Sequence, residues 1–332
     1  MSEATQETAV AKRRRFEIGS IAPFLALLLL CGLGAVVNPR FMSFDNLTNV
    51  LTRSAFIATI AVGQTLIITG GGLDLSVGAM AAFVAGVMIL FLNSGTIDNP
   101  FLLIATAMLL SLVVGALCGL FNGLVTTLGK IEPFIVTLGS MGIFRSLVTW
   151  LAQGGSITIH DSDLRAAYRP VYFGEFLGIP YPVYVILGVA AIGAFVLYAT
   201  AYGRRVRAVG SNEDVARYSG INVARVRTIT YVFQGLCVAI AVIVYVPRLG
   251  STTSTTGLGW ELQAITAVVI GGTRLKGGVG RVWGTIAGAL ILEVIGNIML
   301  LSNLVSEYLI GAVQGAIIIV AMLAQRSLAR GR

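Results

Sequence analysis

FLLIATAMLLSLVVGALCGLFNGLVTT, residues 101–127, contains no Asp, Glu, Lys or Arg. About 20 apolar residues are enough to cross a bilayer as a helix, so this stretch reads as a membrane helix with length to spare. Apolar runs of the same kind lie on both sides of it, near 20–37, 50–70, 76–93, 132–152, 183–201, 229–247, 282–301 and 307–324. A shorter run at 262–272 cannot span alone. It reads as a broken or re-entrant segment, which a membrane tolerates only where the backbone is buried in protein or lines a cavity.

The composition agrees. Of 332 residues 56% are hydrophobic and 11% charged, with a mean hydropathy of +0.88, whereas soluble domains carry about 25% charge. The expected fold class is an all-α polytopic membrane protein of about ten transmembrane helices, with one or two broken or re-entrant segments. The expected division is a basic tail over 1–15, one transmembrane domain over 16–325 with a polar loop at 202–228, and a second basic tail over 326–332.

A net charge of +8 and a pI near 9.7 would suggest nucleic acid in a soluble protein, but here the cations sort by topology. Lys12 to Arg15, Lys130, Arg204, Arg205, Arg207, Arg217, Arg225, Arg227, Arg274, Lys276, Arg281, Arg326, Arg330 and Arg332 fall on one side of the alternating spans. Arg40, Arg53, Arg165, Arg169 and Arg248 fall on the other. The positive-inside bias puts both termini and the 202–228 loop in the cytoplasm, and no nucleic acid is needed as a partner. The basic start at 12–15 followed by an apolar run is not expected to be a cleaved leader, because the apolar run is long.

The loop itself, GRRVRAVGSNEDVARYSGINVARVR at 203–227, is the one long charged island inside the chain. Ser211 is expected to cap a short helix, with Asp214 completing a capping box and Gly220 ending the helix after about two turns. Val215, Tyr218 and Ser219 would share one face, away from Glu213 and Arg217. This reads as a docking surface.

Two glycine-rich strings echo each other, ITGGGLDLSVG at 68–78 and IGGTRLKGGVG at 270–280. Each follows an apolar run, as expected of interrupted helices in duplicated transporter halves. Gly115, Gly119 and Gly123, Gly284 with Gly288, and Gly311 with Gly315 repeat at four-residue spacing and permit close helix contact, read here as packing within one bundle.

No enzyme chemistry is legible. GGTRLKGG lacks the Lys-Ser/Thr pair that a phosphate-binding loop needs after its last glycine, so no catalytic residue, metal or cofactor is expected. Cys31, Cys118 and Cys237 read as small hydrophobes, and His160 as a loop residue. Ionisable and amide groups at membrane depth are costly, and each demands a reason. Asp74 and Ser76 sit in GGLDLSVG, where the carboxylate either pins a helix break or meets a solute. Glu293 and Asn297 share a helical face, lining a wet pathway or bonding across helices, and Gln64 and Gln314 carry the same pair of readings. Arg145 reads as a packing or ion-pair group, and Glu261 as a residue at headgroup level. The scarcity of intramembrane acids shifts weight from an ion-coupled secondary carrier, and from a passive channel, toward energy supplied by another subunit.

GGLDLSVG at 71–78, GSNEDVARYSGIN at 210–222 and GLGWELQAITAVVIGGTRLKGGVGRVWGTIAGALI at 257–291 together resemble the ribose-type sugar permeases of bacterial ABC importers. The likeness runs from about residue 45 to 325. It implies a permease subunit in the bacterial inner membrane that translocates a monosaccharide or small polyol. The expected partners are a periplasmic sugar-binding protein, a cytoplasmic ATP-binding subunit and a second permease copy or paralogue. It also places the family's coupling segment on Ser211, Asn212, Glu213, Asp214, Arg217, Tyr218, Gly220 and Asn222. Gln64, Asp74, Ser76, Glu293 and Asn297 are the candidate pathway residues. Permeases for nucleosides and for branched-chain amino acids are the neighbouring alternatives.

Overall fold

The computed structural model describes residues 18–302 and residues 309, 311–313, 315, 316 and 319. The tails at 1–15 and 326–332, Gln314, and most of the 307–324 segment lie outside the described residues.

The chain opens with α1 (Ile18–Val37), turns through a 3₁₀ segment (Pro39–Met42), and continues as α2 (Phe44–Thr69), α3 (Val77–Leu92), α4 (Pro100–Leu128) and α5 (Pro133–Leu151). An intervening region follows, made of β1 (Ser156–Thr158), α6 (Ser162–Tyr168), α7 (Pro170–Phe173), β2 (Glu175–Phe176) and β3 (Ile179–Pro180). Then come α8 (Tyr181–Ala194) with a π-helical turn over Phe195–Ala199, α9 (Ala201–Ser211), α10 (Glu213–Tyr218), α11 (Val223–Leu249), β4 (Ser251–Thr253), α12 (Trp260–Ile270) and α13 (Val282–Ser302).

Six of these helices are long and apolar enough to cross a membrane: α2, α4, α5, α8 with its π turn, α11 and α13. Three apolar helices are shorter, covering Ile21–Val37, Val77–Leu92 and Trp260–Ile270. The architecture is therefore mostly helical and departs from a plain all-α bundle in two places. β1 pairs antiparallel with β4, Ile157 opposite Thr252, and β2 with β3 form a small hairpin.

α4 and α2 differ in the way a bilayer solvent allows. The most apolar window, in α4 at a mean hydropathy of 2.6, is only 33% buried, while the window in α2 at 1.5 is 83% buried. A face toward lipid must be apolar, whereas an interior helix can carry polar groups if each finds a partner. In α2, Thr59 donates to the Ala55 carbonyl and Thr65 to that of Ala61, and Thr65 also pairs with Thr285 of α13 at 2.7 Å.

The glycine stripe of α4 faces α11. A Cβ built at Gly115 would lie 2.4 Å from the Gly235 carbonyl oxygen, and one at Gly235 would lie 2.0 Å from that of Gly115. At Gly119 it would lie 2.1 Å from the Tyr231 carbonyl oxygen, so the two backbones touch. Gly284 and Gly288 similarly seat α13 on Gly271 and Ala267. These faces pack one bundle together.

The echoing strings close their helices in one way. Gly70, Gly71 and Gly72 donate to Leu66, Ile68 and Ile67, and Gly271, Gly272 and Thr273 donate to Ala267, Val269 and Val268. Gly71 at φ +79° and Gly272 at φ +85° take the same left-handed place. α2 breaks here before α3, and α12 before α13. α12 has 11 residues and rises about 16 Å, roughly half of a hydrocarbon core about 30 Å thick. The stretch leading into α12 crosses the start of α3 backbone to backbone, a Gly78 Cβ falling 2.0 Å from the Gly257 carbonyl oxygen.

Candidate functional site

The polar island folds as α9, α10 and the start of α11. Thr200 caps α9 by accepting from Gly203 N at 3.0 Å. The α10 cap lies one residue later than expected. Ser211 is still the last residue of α9, and Asn212, at φ −162°, accepts from Val215 N at 3.0 Å. With Asn212 as the cap, Val215 takes the third helical position, so Asp214 cannot complete a capping box. Gly220 does end the helix, at φ +78°, with its N–H on the Arg217 carbonyl and that of Ile221 on Ala216. Asn222 then caps α11 by accepting from Arg225 N at 2.9 Å.

α10 has 6 residues, too few to be stable alone, and its neighbours hold it. Ala216 is buried with Val206 and Val209 of α9 and with Val223 and Val226 of α11. The Glu213 carboxylate bridges Arg217 at 2.7 Å and Arg227 of α11 at 2.8 Å. Partial burial by itself raises that carboxyl, but the hydrogen bonds and charges of Arg227 and Arg217 outweigh it and hold the group below the usual glutamate range. Two large apolar groups point away from this support: Val215 is 59% exposed and Tyr218 91%. Arg204, Arg205 and Arg225 are exposed on these segments, and Arg274 and Lys276 on the 270–280 string.

The five pathway candidates fall into three separate places. Asp74 and Ser76 are fully buried in the α2–α3 break, where Asp74 Oδ1 accepts from Ser76 N at 2.8 Å and from Ser76 Oγ at 2.6 Å. Asn122 of α4 joins them, its amide donating to Ser76 Oγ at 2.8 Å. Tyr231 of α11 donates to the Leu73 carbonyl at 3.0 Å, so the break is tied to two helices. Gln64 is fully buried in α2, and the neighbouring Gly63 gives room to Gln234 of α11, which donates to the Ile60 carbonyl at 3.3 Å. Glu293 pairs with Arg53 of α2 at 3.1 Å, and Asn297 exchanges amide bonds with Asn46 at 2.8 and 3.0 Å. Both therefore stitch α13 to α2.

Asn122 and Gln234 escaped the sequence reading, although each is a lone amide beside a glycine inside an apolar run. Arg145 donates to the carbonyls of Ser254 and Thr256, clamping the stretch before α12, with Glu261 as its nearby opposite charge. The Glu261 carboxylate turns inward, with Oε2 buried against the start of α3 at Gly78. Arg145 also closes one side of an open depression lined by Ser146, Thr149, Trp150, Gln153 and Gly154.

The family model described as "Branched-chain amino acid transport system / permease component" matches residues 46–322. The ribose import permease of Bacillus subtilis is 39% identical, over 95% of this chain and 96% of that protein. That of Haemophilus influenzae is 36% identical, over 92% of each. Among solved structures, a chain of an ABC transporter assigned to the metal-chelate type, in an inward-facing conformation, superimposes at a TM-score of 0.54. The two share 14% identity over 92% of this chain and 98% of that one, so this likeness bears on the fold alone. A break-and-cap geometry used twice, a glycine-packed bundle and this extent of similarity lead to one conclusion: the chain belongs to the ribose-type permease family of ABC importers, as a membrane subunit and not an enzyme.

Proposed function

We propose that this permease imports a monosaccharide or small polyol, handed over by a periplasmic binding protein and driven by a cytoplasmic ATP-hydrolysing subunit. In this reading both termini and α9–α10 are cytoplasmic, in line with the charge sorting. The three shorter apolar helices and the 307–324 segment complete about ten membrane segments around the six long ones. A second permease copy or paralogue provides the other wall of the pathway. Ser211, Asn212, Glu213, Asp214, Arg217, Tyr218, Gly220 and Asn222 form the coupling segment, with distinct roles. Asn212, Gly220 and Asn222 shape it, Glu213, paired with Arg217 inside the helix, locks it to α11 through Arg227, and Val215 with Tyr218 makes the contact. Gln64, Asp74, Ser76, Glu293 and Asn297 shape the helices beside the pathway.

One observation carries the proposal: a helix held rigidly from beneath presents a 91% exposed tyrosine beside a 59% exposed valine. Rigid support with an unpartnered apolar tip suits a lever that another subunit pushes. The test pairs Val215→Asp with Tyr218→Ala. Loss of a tyrosine anchor is worth about 2 kcal/mol, roughly 30-fold in affinity, so capture of the ATP-hydrolysing subunit should fall by that order while membrane insertion is unchanged. Full capture and full uptake by the double variant would refute the docking role. Uptake that persists without any ATP-hydrolysing subunit would refute the class.

A further inference from the structure

The two echoing strings do more than end their helices alike, because they meet each other. Gly278 N donates to the Thr69 carbonyl at 2.9 Å, joining the string before α13 to the end of α2. The last turn of α9 sits in the notch so formed. A Cβ on Gly210 would fall 1.8 Å from the Thr69 carbonyl oxygen and 2.8 Å from Gly278 N. From the other side, a Cβ on Gly277 would lie 2.5 Å from the Gly210 carbonyl oxygen, and one on Gly278 would lie 2.4 Å from Ser211 Oγ. Gly277 and Gly278, at φ +85° and +80°, are left-handed positions that admit this approach.

Three backbones therefore touch with almost no side chain between them. Side-chain contacts can yield by changing rotamer, but packed backbones move together or not at all. The sites in contact are the end of α2 beside its break, the string that begins α13, and the turn of α9 two residues before the α10 cap. A load on α10 thus has a direct route into both repeat-related breaks, besides the route along α11.

We propose that Gly210 is the positioning residue through which the coupling segment drives both broken-helix repeats together. This rests on the functional reading above and goes beyond it by naming the joint. An alanine at Gly210 must push α9 off Thr69 and Gly278, leaving α10 attached to α11 by Glu213–Arg227 but no longer seated on the breaks.

The experiment uses the complex of the permease with its ATP-hydrolysing subunit in lipid vesicles. Cys31 is replaced by Ser, and a fluorophore sits on Gln153→Cys, at the opposite end of α5 from Lys130. ATP addition should change the fluorescence of the parent complex. In Gly210→Ala the change should shrink on the order of tenfold, the scale of a typical coupling energy, while ATP hydrolysis per complex and subunit capture are retained. A merely structural role would lower the yield of complex and leave the fluorescence change per hydrolysing complex intact, and that result overturns the inference. Gly188→Ala, where an added Cβ meets nothing within 4 Å, is the control for glycine loss in a helix. Should Gly210→Ala fail to accumulate, Gly280→Ala carries the same test. Its Cβ meets Thr69 at Oγ1, 2.0 Å, which can turn away, and at Cβ, 3.2 Å, which cannot, so the string before α13 must shift off the end of α2. A shrunken response there supports the joint and a full one overturns it. A parent complex that hydrolyses ATP with no fluorescence change would instead strike the functional reading itself, and the inference with it.

Discussion

Replacing Asp74 separates the role of its charge from the role of its oxygen. Asp74 Oδ1 is the acceptor for two donors of the fully buried Ser76, N–H at 2.8 Å and Oγ–H at 2.6 Å. Asp74→Ala leaves both without that acceptor. A buried donor left unpaired costs about 1–3 kcal/mol, so the gross loss is roughly 2–6 kcal/mol, reduced by whatever the buried carboxylate costs in desolvation. Asp74→Asn keeps an acceptor at Oδ1 and places an amide N–H where Oδ2 stood, in a neighbourhood where Asn122 Oδ1 has no donor. Its expected cost is under about 1 kcal/mol. Each kcal/mol corresponds to roughly 2–4 °C of midpoint for a domain of about 200 residues and somewhat less for a longer chain. Thermal unfolding in detergent should therefore place Asp74→Ala several degrees below the parent and Asp74→Asn close to it. Equal losses for the two variants would show that the charge, and not the acceptor, holds the break, and would refute the hydrogen-bond reasoning.

Further outcomes follow from the same geometry. Gly115→Ala and Gly235→Ala each drive a methyl into the partner's backbone, at 2.4 and 2.0 Å, and each should cost about 1–3 kcal/mol. Because one separation of α4 from α11 relieves both clashes, the double variant should cost clearly less than the sum, and an additive result in a double-mutant cycle would contradict this. The Glu213 carboxyl is held below its ordinary range, so the stability it contributes is present above the ordinary glutamate value near 4.3 and is lost as pH falls through the lowered folded value. Limited proteolysis within 202–228 should accordingly be flat from neutral pH down to about pH 5 and increase only in stronger acid. In Glu213→Gln that pH dependence should disappear.

Particular residues show how far the sequence could be read. The span at 101–127 was legible because a bilayer accepts only a chain whose backbone bonds to itself, and such a chain announces its length in apolar residues. Gly220 was legible as a helix stop because its role is local. The α10 cap was not, since Ser211 and Asn212 are both good caps and the seat of Gly210 and Ser211 against the 277–278 turn lies across the fold. The contact of Glu261 was hidden for a similar reason. Its neighbour Trp260 suggested an interface, but the stretch before α12 folds back onto Gly78. Glu293 and Asn297 share a face as their spacing required, yet spacing along one helix says nothing about which helix stands opposite.

By itself, the sequence determined that this chain lives in a membrane, that its cations gather toward one side and that a short charged segment interrupts the apolar runs. Each of these follows from transfer free energy and local backbone geometry, which depend on a residue and its near neighbours. Only the tertiary structure decided that Ser76, Gln234, Glu293 and Asn297 bond to neighbouring helices and that two distant glycine strings close on the end of α9. Those outcomes depend on contacts between residues separated by up to 251 positions, and backbone contact is selected by the absence of side chains, which leaves no chemical signature in the sequence beyond a glycine.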